Sequence, residues 1–276
     1  MAMTINRLAA PLGAEVTGVN LATPVSASAA AALQRALLEH VVLVIRDQSF
    51  APAQYVQAMT TFGKPAMQNH AEQLLDNHPE IWVIDSRTSH KRADGTRVLF
   101  GANSWHTDHT NQQKPPKITA LYAVKLPSTG GDTCFANAQS MLGRLSATRR
   151  QEIESLKVVY GADKHIPLRD ADKQAFATPA VHPLVRTHPE TGRKALYCHP
   201  LKALNVEGWE SEPSSQFIDD VIGEALHDDD VFRHEWRLGD LVLIDNRACM
   251  HRAMVDYDPE EGRVMHRIII EGDRPQ

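Results

Sequence analysis

Leu241-Val242-Leu243-Ile244-Asp245-Asn246-Arg247-Ala248-Cys249-Met250-His251 runs from an unbroken apolar stretch through a polar turn to a histidine. The apolar run follows the turn sequence Arg237-Leu238-Gly239-Asp240 and reads as a buried strand. Upstream, Trp105-His106-Thr107-Asp108 sets an imidazole and a carboxylate two residues apart. On a strand, that step aims both side chains at one face. Two histidines and one carboxylate on one face of a metal leave adjacent coordination positions open, which is the ligand set of non-haem Fe(II) centres. His106, Asp108 and His251 are therefore the candidate metal ligands. Arg263 and Arg267 follow, four residues apart. On a strand this even step turns both guanidiniums to the same side, where a small anion can be held.

Working outward, Val41–Ile45, Ile81–Ile84 and Val264–Ile270 are further short apolar strands. Ser26 or Ser28 caps a helix that runs to about His40, and Pro52 opens a second that stops at Gly63. Ser140 to Leu156 reads as one helix and Ser214 to His227 as another. His182–Arg186 and Lys194–Cys198 flank the turn sequence Pro189-Glu190-Thr191-Gly192, a hairpin signal. The chain is thus mainly β with flanking α-helices, and its ligand-bearing parts are strands.

With 276 residues, 42% of them hydrophobic, the chain can bury one sizeable core. A single domain over residues 1–276 is expected, with loop insertions at about 66–102 and 161–181. The net charge of −5 carries no long basic run, which argues against nucleic acid as a partner. No apolar run is long enough to span a bilayer, and no signal-peptide pattern opens the chain, so no membrane partner and a cytoplasmic location are expected. Cys134, Cys198 and Cys249 form no CxxC pair; Cys249 reads as a small buried hydrophobe rather than a ligand.

Further motifs occur in order: Leu12-Gly13-Ala14-Glu15-Val16-Thr17-Gly18-Val19-Asn20-Leu21, Arg46-Asp47-Gln48, Ala102-Asn103-Ser104-Trp105-His106-Thr107-Asp108, Pro127-Ser128-Thr129-Gly130-Gly131-Asp132-Thr133, His182-Pro183-Leu184-Val185-Arg186-Thr187-His188-Pro189, then Asp245-Asn246-Arg247 with His251, and Arg263-Val264-Met265-His266-Arg267. Together they resemble the taurine dioxygenase family of Fe(II)- and 2-oxoglutarate-dependent oxygenases, which includes taurine, alkylsulfate and aryloxyalkanoate dioxygenases. The resemblance covers nearly the whole chain.

The resemblance implies a double-stranded β-helix, or jelly roll, with Fe(II) on His106, Asp108 and His251. It implies that Arg263 and Thr133 bind the distal carboxylate of 2-oxoglutarate, whose keto-acid end chelates the iron before O2 binds. It assigns Arg267, and secondarily Asn103, to a small anionic organic substrate. Halogenating relatives lack the carboxylate that Asp108 supplies, so hydroxylation is implied, with release of succinate and CO2. The long segments are expected to cover the site, and a homo-oligomer (dimer or tetramer) is expected. Gln68 stands where taurine users carry a histidine, with no tyrosine after it; His70 is the substitute after a loop shift. The stretch Tyr160–His165 and Leu201-Lys202 replace two pocket phenylalanines, and Lys164, His165 and Lys202 add positive charge. Taurine itself is therefore expected to be a poor substrate. Sulfonates, sulfate esters, aryloxyalkanoates and a biosynthetic amino-acid-like acid remain as substrate classes. The alternatives are a zinc hydrolase on the same three ligands and a non-catalytic binding protein of the same fold.

Overall fold

The computed structural model describes residues 2–68, 73–89, 103–162 and 178–276. Most of the two expected insertions, with His70, Lys164 and His165, lies outside the described residues. In chain order the strands are β1 (Thr4–Arg7), β2 (Ala14–Thr17), β3 (Val42–Ile45), β4 (Leu74–Leu75), β5 (His78–Asp85), β6 (Ile118–Lys125), β7 (Thr133–Asn137) and β8 (Lys157–Tyr160). They continue with β9 (Ala180–Pro183), β10 (Val185–Thr187), β11 (Lys194–Leu196), β12 (Ala203–Val206), β13 (Val231–His234), β14 (Leu241–Asp245), β15 (Cys249–Ala253) and β16 (Val264–Ile270). The helices are α1 (Ala27–His40), α2 (Pro52–Met59), α3 (Ala138–Arg144), α4 (Ala147–Ile153) and α5 (Ser211–Ala225).

An eight-stranded sheet in the order β1-β2-β3-β14-β6-β16-β5-β4 forms the main layer, antiparallel except where β2 runs parallel to β3. A three-stranded sheet, β13-β7-β15, forms the second layer, and β12-β8-β9 with the β10–β11 hairpin completes the set. The strand period of two distributes β14 over two cores. Leu241 and Leu243 enter the cluster under α1 and α2; Val242 and Ile244 enter the cluster shared with Phe135 and Cys249 of the second sheet. That double burial is why the stretch reads as unbroken apolar sequence.

The same alternation sets the site. On β16, Ile268 and Ile270 face the helices, whereas Met265 faces the second sheet, and Arg267 shares Met265's side. On β6, Leu121 and Ala123 face the second sheet, and Thr119 shares theirs. The β6–β16 ladder slips between Val264 and Met265, with Val124 as the extra residue on β6. The facing alternation along β16 therefore continues uninterrupted back to Arg263.

Two sequence expectations need correction. Ser140–Leu156 is two helices: Leu145 is extended, and the Ser146 side chain accepts from the Arg149 N–H to start α4 anew. His106 and Asp108 do not lie on a strand. His106 makes a single antiparallel bridge to His251, and Asp108 begins a turn.

The β14–β15 connection is fixed by a buried charge network. Arg247 donates from Nε and Nη2 to the two carboxylate oxygens of Asp245 at 2.8 and 2.9 Å, and His188 Nε2 lies 3.0 Å from Asp245 Oδ2. His188 Nδ1 accepts backbone N–H groups of Glu190 and Thr191, so Nε2 carries the proton given to Asp245. Burial alone would raise the Asp245 carboxyl; the bonds from His188 and Arg247 outweigh it and hold it at about 2. This depressed carboxyl contributes stability that is complete above the unfolded value of ~3.9 and is lost as pH falls through the folded one. We expect Asp245→Ala to lower unfolding free energy by about 3–5 kcal/mol at neutral pH, because buried Arg247 loses its buried counter-charge and keeps only the half-exposed Glu190. Urea titration at pH 7 checks this; a loss below ~1 kcal/mol would show that the network is not a structural tie.

Candidate metal centre and anion sites

His251 lies in the middle of β15, and His106 is brought to it by paired backbone hydrogen bonds of 3.0 and 2.9 Å. Their ring centroids are 4.3 Å apart. Asp108 is set by the turn that follows. Its N–H donates to Asn246 Oδ1 at 2.8 Å, while Asn246 Nδ2 donates to the Asp108 and Pro116 carbonyls at 3.0 and 2.9 Å. Asn246 is fully buried, so its amide ties the ligand turn to the end of β14. Thr119 on β6 donates its hydroxyl to Asp108 Oδ2 at 2.7 Å.

The donor atoms fit a cation. His106, Asp108 and His251 are all buried, with ligand atoms within 4.8 Å of one another, and no other such group of three occurs among the described residues. His106 Nδ1 lies 2.7 Å from the Ser104 carbonyl and donates to it, which leaves the Nε2 lone pair for a metal. Asp108 Oδ1 is 3.6 Å from His106 Nε2, and Oδ2 is 4.0 Å from His251 Nε2. Ligands held at about 2.1 Å in adjacent positions lie roughly 3 Å apart, so a small inward closure completes the triad. Burial tends to raise the Asp108 carboxyl, but His106, His251 and Arg267 outweigh it and keep it well below the carboxylate range. Burial, with His106 beside it, pushes His251 down to about 3 and keeps its imidazole neutral. An ionised carboxylate and a neutral imidazole are the forms that bind metal.

Arg263 lies one residue before β16. Its Nε donates to the Gly131 carbonyl at 2.8 Å, and its Nη2 approaches Thr133 Oγ1 at 3.4 Å. Thr133 Oγ1 also accepts from Trp236 Nε1 at 3.0 Å. Gly131 has φ 76°, and a Cβ there would lie 3.1 Å from Arg263 Cδ; the Gly-Gly turn is what lets the arginine pack against the backbone. Arg263 and Thr133, which the sequence assigns to one carboxylate, thus lie side by side.

Arg267 lies over Trp82, with its Cζ 4.0 Å from the ring centroid. Its Nη2 donates to Gln68 Oε1 at 3.0 Å and lies 3.1 Å from His109 Nε2; Nη1 is 3.9 Å from Asp108 Oδ1. Gln68 therefore lies against Arg267. Asn103 is exposed. Trp105 packs on the second core, with the Arg252 guanidinium 5.0 Å above its ring. Cys249 is fully buried, and burial raises its thiol. All three cysteines are unpaired thiols.

Sequence reading missed three contributors. Thr119 gave no signal, because only the β6–β16 pairing places it beside Asp108. His109 directly follows the motif but carries no spacing signature. His199 packs against His106 at a centroid distance of 4.9 Å; burial, His106 and Lys202 press it well below its ordinary value, so it is a neutral imidazole behind a ligand. Lys202 Nζ is 3.4 Å from Asn111 Oδ1, three residues past Asp108.

Asn246→Ala should weaken Mn(II) binding about 10- to 100-fold, with a native far-UV dichroism spectrum, since loss of an outer-shell tie misplaces the ligand turn. Calorimetric titration of metal into both proteins tests this; equal affinities would show that Asn246 serves folding alone.

Among known proteins, the family profile described as "Taurine catabolism dioxygenase TauD, TfdA family" matches residues 4–269. An alkylsulfatase of Acinetobacter baylyi is 30% identical, over 98% of this chain and 86% of the relative. An alpha-ketoglutarate-dependent 2,4-dichlorophenoxyacetate dioxygenase of Cupriavidus pinatubonensis is 29% identical, over 97% of each chain. The crystal structure of AAD-2 in complex with Mn(II) and N-oxalylglycine superposes with a TM-score of 0.83 at 28% identity, covering 100% of this chain and 99% of that one. The chain belongs to the TauD/TfdA family of dioxygenases.

Proposed function

We propose that this protein is an Fe(II)- and 2-oxoglutarate-dependent dioxygenase that hydroxylates a small organic anion and releases succinate and CO2. The observation that carries the reading is a buried His/Asp/His cluster flanked by two buried arginines on one sheet face. His106, Asp108 and His251 hold the iron. Bound Fe(II) supplies O2 activation and the oxidative decarboxylation of 2-oxoglutarate.

The chain's own residues bind, orient and exclude water. Arg263 and Thr133 take the distal carboxylate of 2-oxoglutarate, and Trp236 fixes the Thr133 hydroxyl. Arg267 takes the anionic group of the substrate, with Trp82 shielding one face of its guanidinium. Asn103, exposed three residues before His106, is the second candidate for a substrate contact. Charge supports two anionic guests. Two guanidiniums and a divalent ion exceed the one carboxylate among them by three charges, which a dianionic co-substrate and a monoanionic substrate cancel. A zinc hydrolase acting on a neutral substrate would leave both arginines without an anionic guest.

The proposal extends to one domain over residues 1–276 with a double-stranded β-helix core. In support, the site lies between the eight-stranded sheet and β13-β7-β15, and both layers share a hydrophobic cluster. No helix among the described residues is long and apolar enough to cross a membrane. A homo-oligomer remains part of the proposal.

Relatives named for sulfate esters, sulfonates and aryloxyalkanoates define the substrate panel. We expect Fe(II)-dependent succinate release to rise with pentyl sulfate, pentanesulfonate or phenoxyacetate and to respond poorly to taurine. Arg263→Ala should raise the KM for 2-oxoglutarate by about 100-fold or more, with a smaller effect on the organic substrate. Succinate release that no organic anion stimulates, or an unchanged 2-oxoglutarate KM in the variant, would overturn the assignment.

A further inference from the structure

His109 follows the ligand Asp108 and adopts φ 54°, a left-handed conformation uncommon for a side-chain-bearing residue. That turn swings its ring back over the sheet face, where Nε2 lies 3.1 Å from Arg267 Nη2. An arginine carries no acceptor, so Nη2 donates and His109 Nε2 accepts. His109 is therefore held neutral with its proton on Nδ1. Gln112 Nε2 lies 3.2 Å from Nδ1, so a proton on Nδ1 requires the Gln112 amide to be turned over to bring its oxygen there.

The consequence lies in the guanidinium. Its two bidentate forks are Nε with Nη2 and Nη1 with Nη2. Both use Nη2, and Nη2 faces two acceptors: Gln68 Oε1 at 3.0 Å and His109 Nε2 at 3.1 Å. Arg267 Nε is buried and has no hydrogen-bond partner among the described residues. An oxyanion that docks on either fork must displace one of the two acceptors. Gln68 is fixed, because its Nδ-equivalent amide nitrogen, Nε2, donates to the carbonyls of Glu80 and Arg267, each at 2.9 Å. His109 is only part-buried, whereas Gln68 is buried.

We propose that His109 is a placeholder for the substrate's anionic group: it occupies the acceptor position on Arg267 that a carboxylate, sulfate or sulfonate oxygen takes over on binding. This rests on the assignment of Arg267 to the substrate anion. Arg267 Nη1 stands 3.9 Å from Asp108 Oδ1, beyond hydrogen-bond distance. His109 is thus a specificity-determining positioning residue. An anion is admitted only if its charge outbids a neutral imidazole for Arg267.

The test is calorimetric titration of the protein loaded with Mn(II) and N-oxalylglycine. The probe is whichever of pentyl sulfate, pentanesulfonate or phenoxyacetate gives the largest succinate release. His109→Gly, which the left-handed backbone accepts without strain, should bind the probe about five- to tenfold more tightly, because the competing acceptor is gone. His109→Asn, also tolerant of this backbone and too short to reach Arg267, should shift the same way. His109→Gln, which restores an acceptor of similar reach, should return affinity towards wild type. The N-oxalylglycine affinity, read at Arg263, should hold within about twofold in all three. Unchanged or weaker probe binding in the Gly and Asn variants overturns the proposal. Arg267→Ala separates the two readings: if it binds the probe like wild type, Arg267 is not the anion site, whatever His109 does.

Discussion

Asp108 is a carboxylate buried between two sheets, and the surrounding structure keeps it both ionised and open to a cation. Burying an ionised carboxylate costs several kcal/mol unless charges and hydrogen bonds offset it. The Thr119 hydroxyl donates to Oδ2, His106 and His251 approach Oδ1 and Oδ2 at 3.6 and 4.0 Å, and Arg267 stands just beyond hydrogen-bond range of Oδ1. None of these closes the ion pair that would satisfy Asp108 outright. The site is therefore electrostatically incomplete in a way that a divalent ion completes. This incompleteness is sustained only because the ligand turn is held by its backbone, through the Asn246 amide, rather than by its carboxylate.

The second buried network serves the first. Asn246 lies between Asp245, saturated by Arg247 and His188, and the start of β15, which carries His251. The backbone is also fixed there, because the Asp245 N–H donates to the carbonyl of Val41, itself at φ 68° past the end of α1. One short connection thus holds a metal ligand, the clamp on another ligand, and a charge cluster that is satisfied internally. Asp245 and Asp108 are both buried aspartates of opposite purpose. One has spent its bonds on structure, and the other keeps them available.

Much of this was legible in the sequence wherever burial and chemistry left a local imprint. The apolar run Leu241–Ile244, the Ser26 cap of α1 and the spacing of Arg263 and Arg267 each have a local cause, and each appears where expected. The clustering of His106, Asp108 and His251 was also legible, although the reason given for it was not the one found. His106 and Asp108 converge through one backbone bridge and a turn, not through strand alternation. What stayed hidden depends on non-local register. Nothing local marks Thr119, which reaches Asp108 because β6 sits between β14 and β16. Nothing marks His199, which backs His106 because the Cys198 carbonyl accepts the Thr107 N–H across the site. The break at Leu145 and Ser146 was written in the sequence as a second serine cap, but helical periodicity on both sides masked it.

Strand geometry also explains why two arginines on one face need not compete. Four residues of extended chain separate their Cα atoms by about 13 Å, too far for both to grip one small anionic group. Met265 fills the interval and keeps it apolar. Arg263 is engaged by Gly131 and Thr133, whereas Arg267 lies beside Asp108. In the proposed reading, a guest anchored at Arg263 meets the metal only if it is bifunctional, with an anionic group at one end and metal-binding oxygens at the other, as in 2-oxoglutarate. A guest anchored at Arg267 needs no second anchor, because its neighbouring carbons already lie beside the ligand cluster. In that reading, the division of labour between co-substrate and substrate follows from the spacing of the two arginines along the chain at β16, with Arg267 beside Asp108.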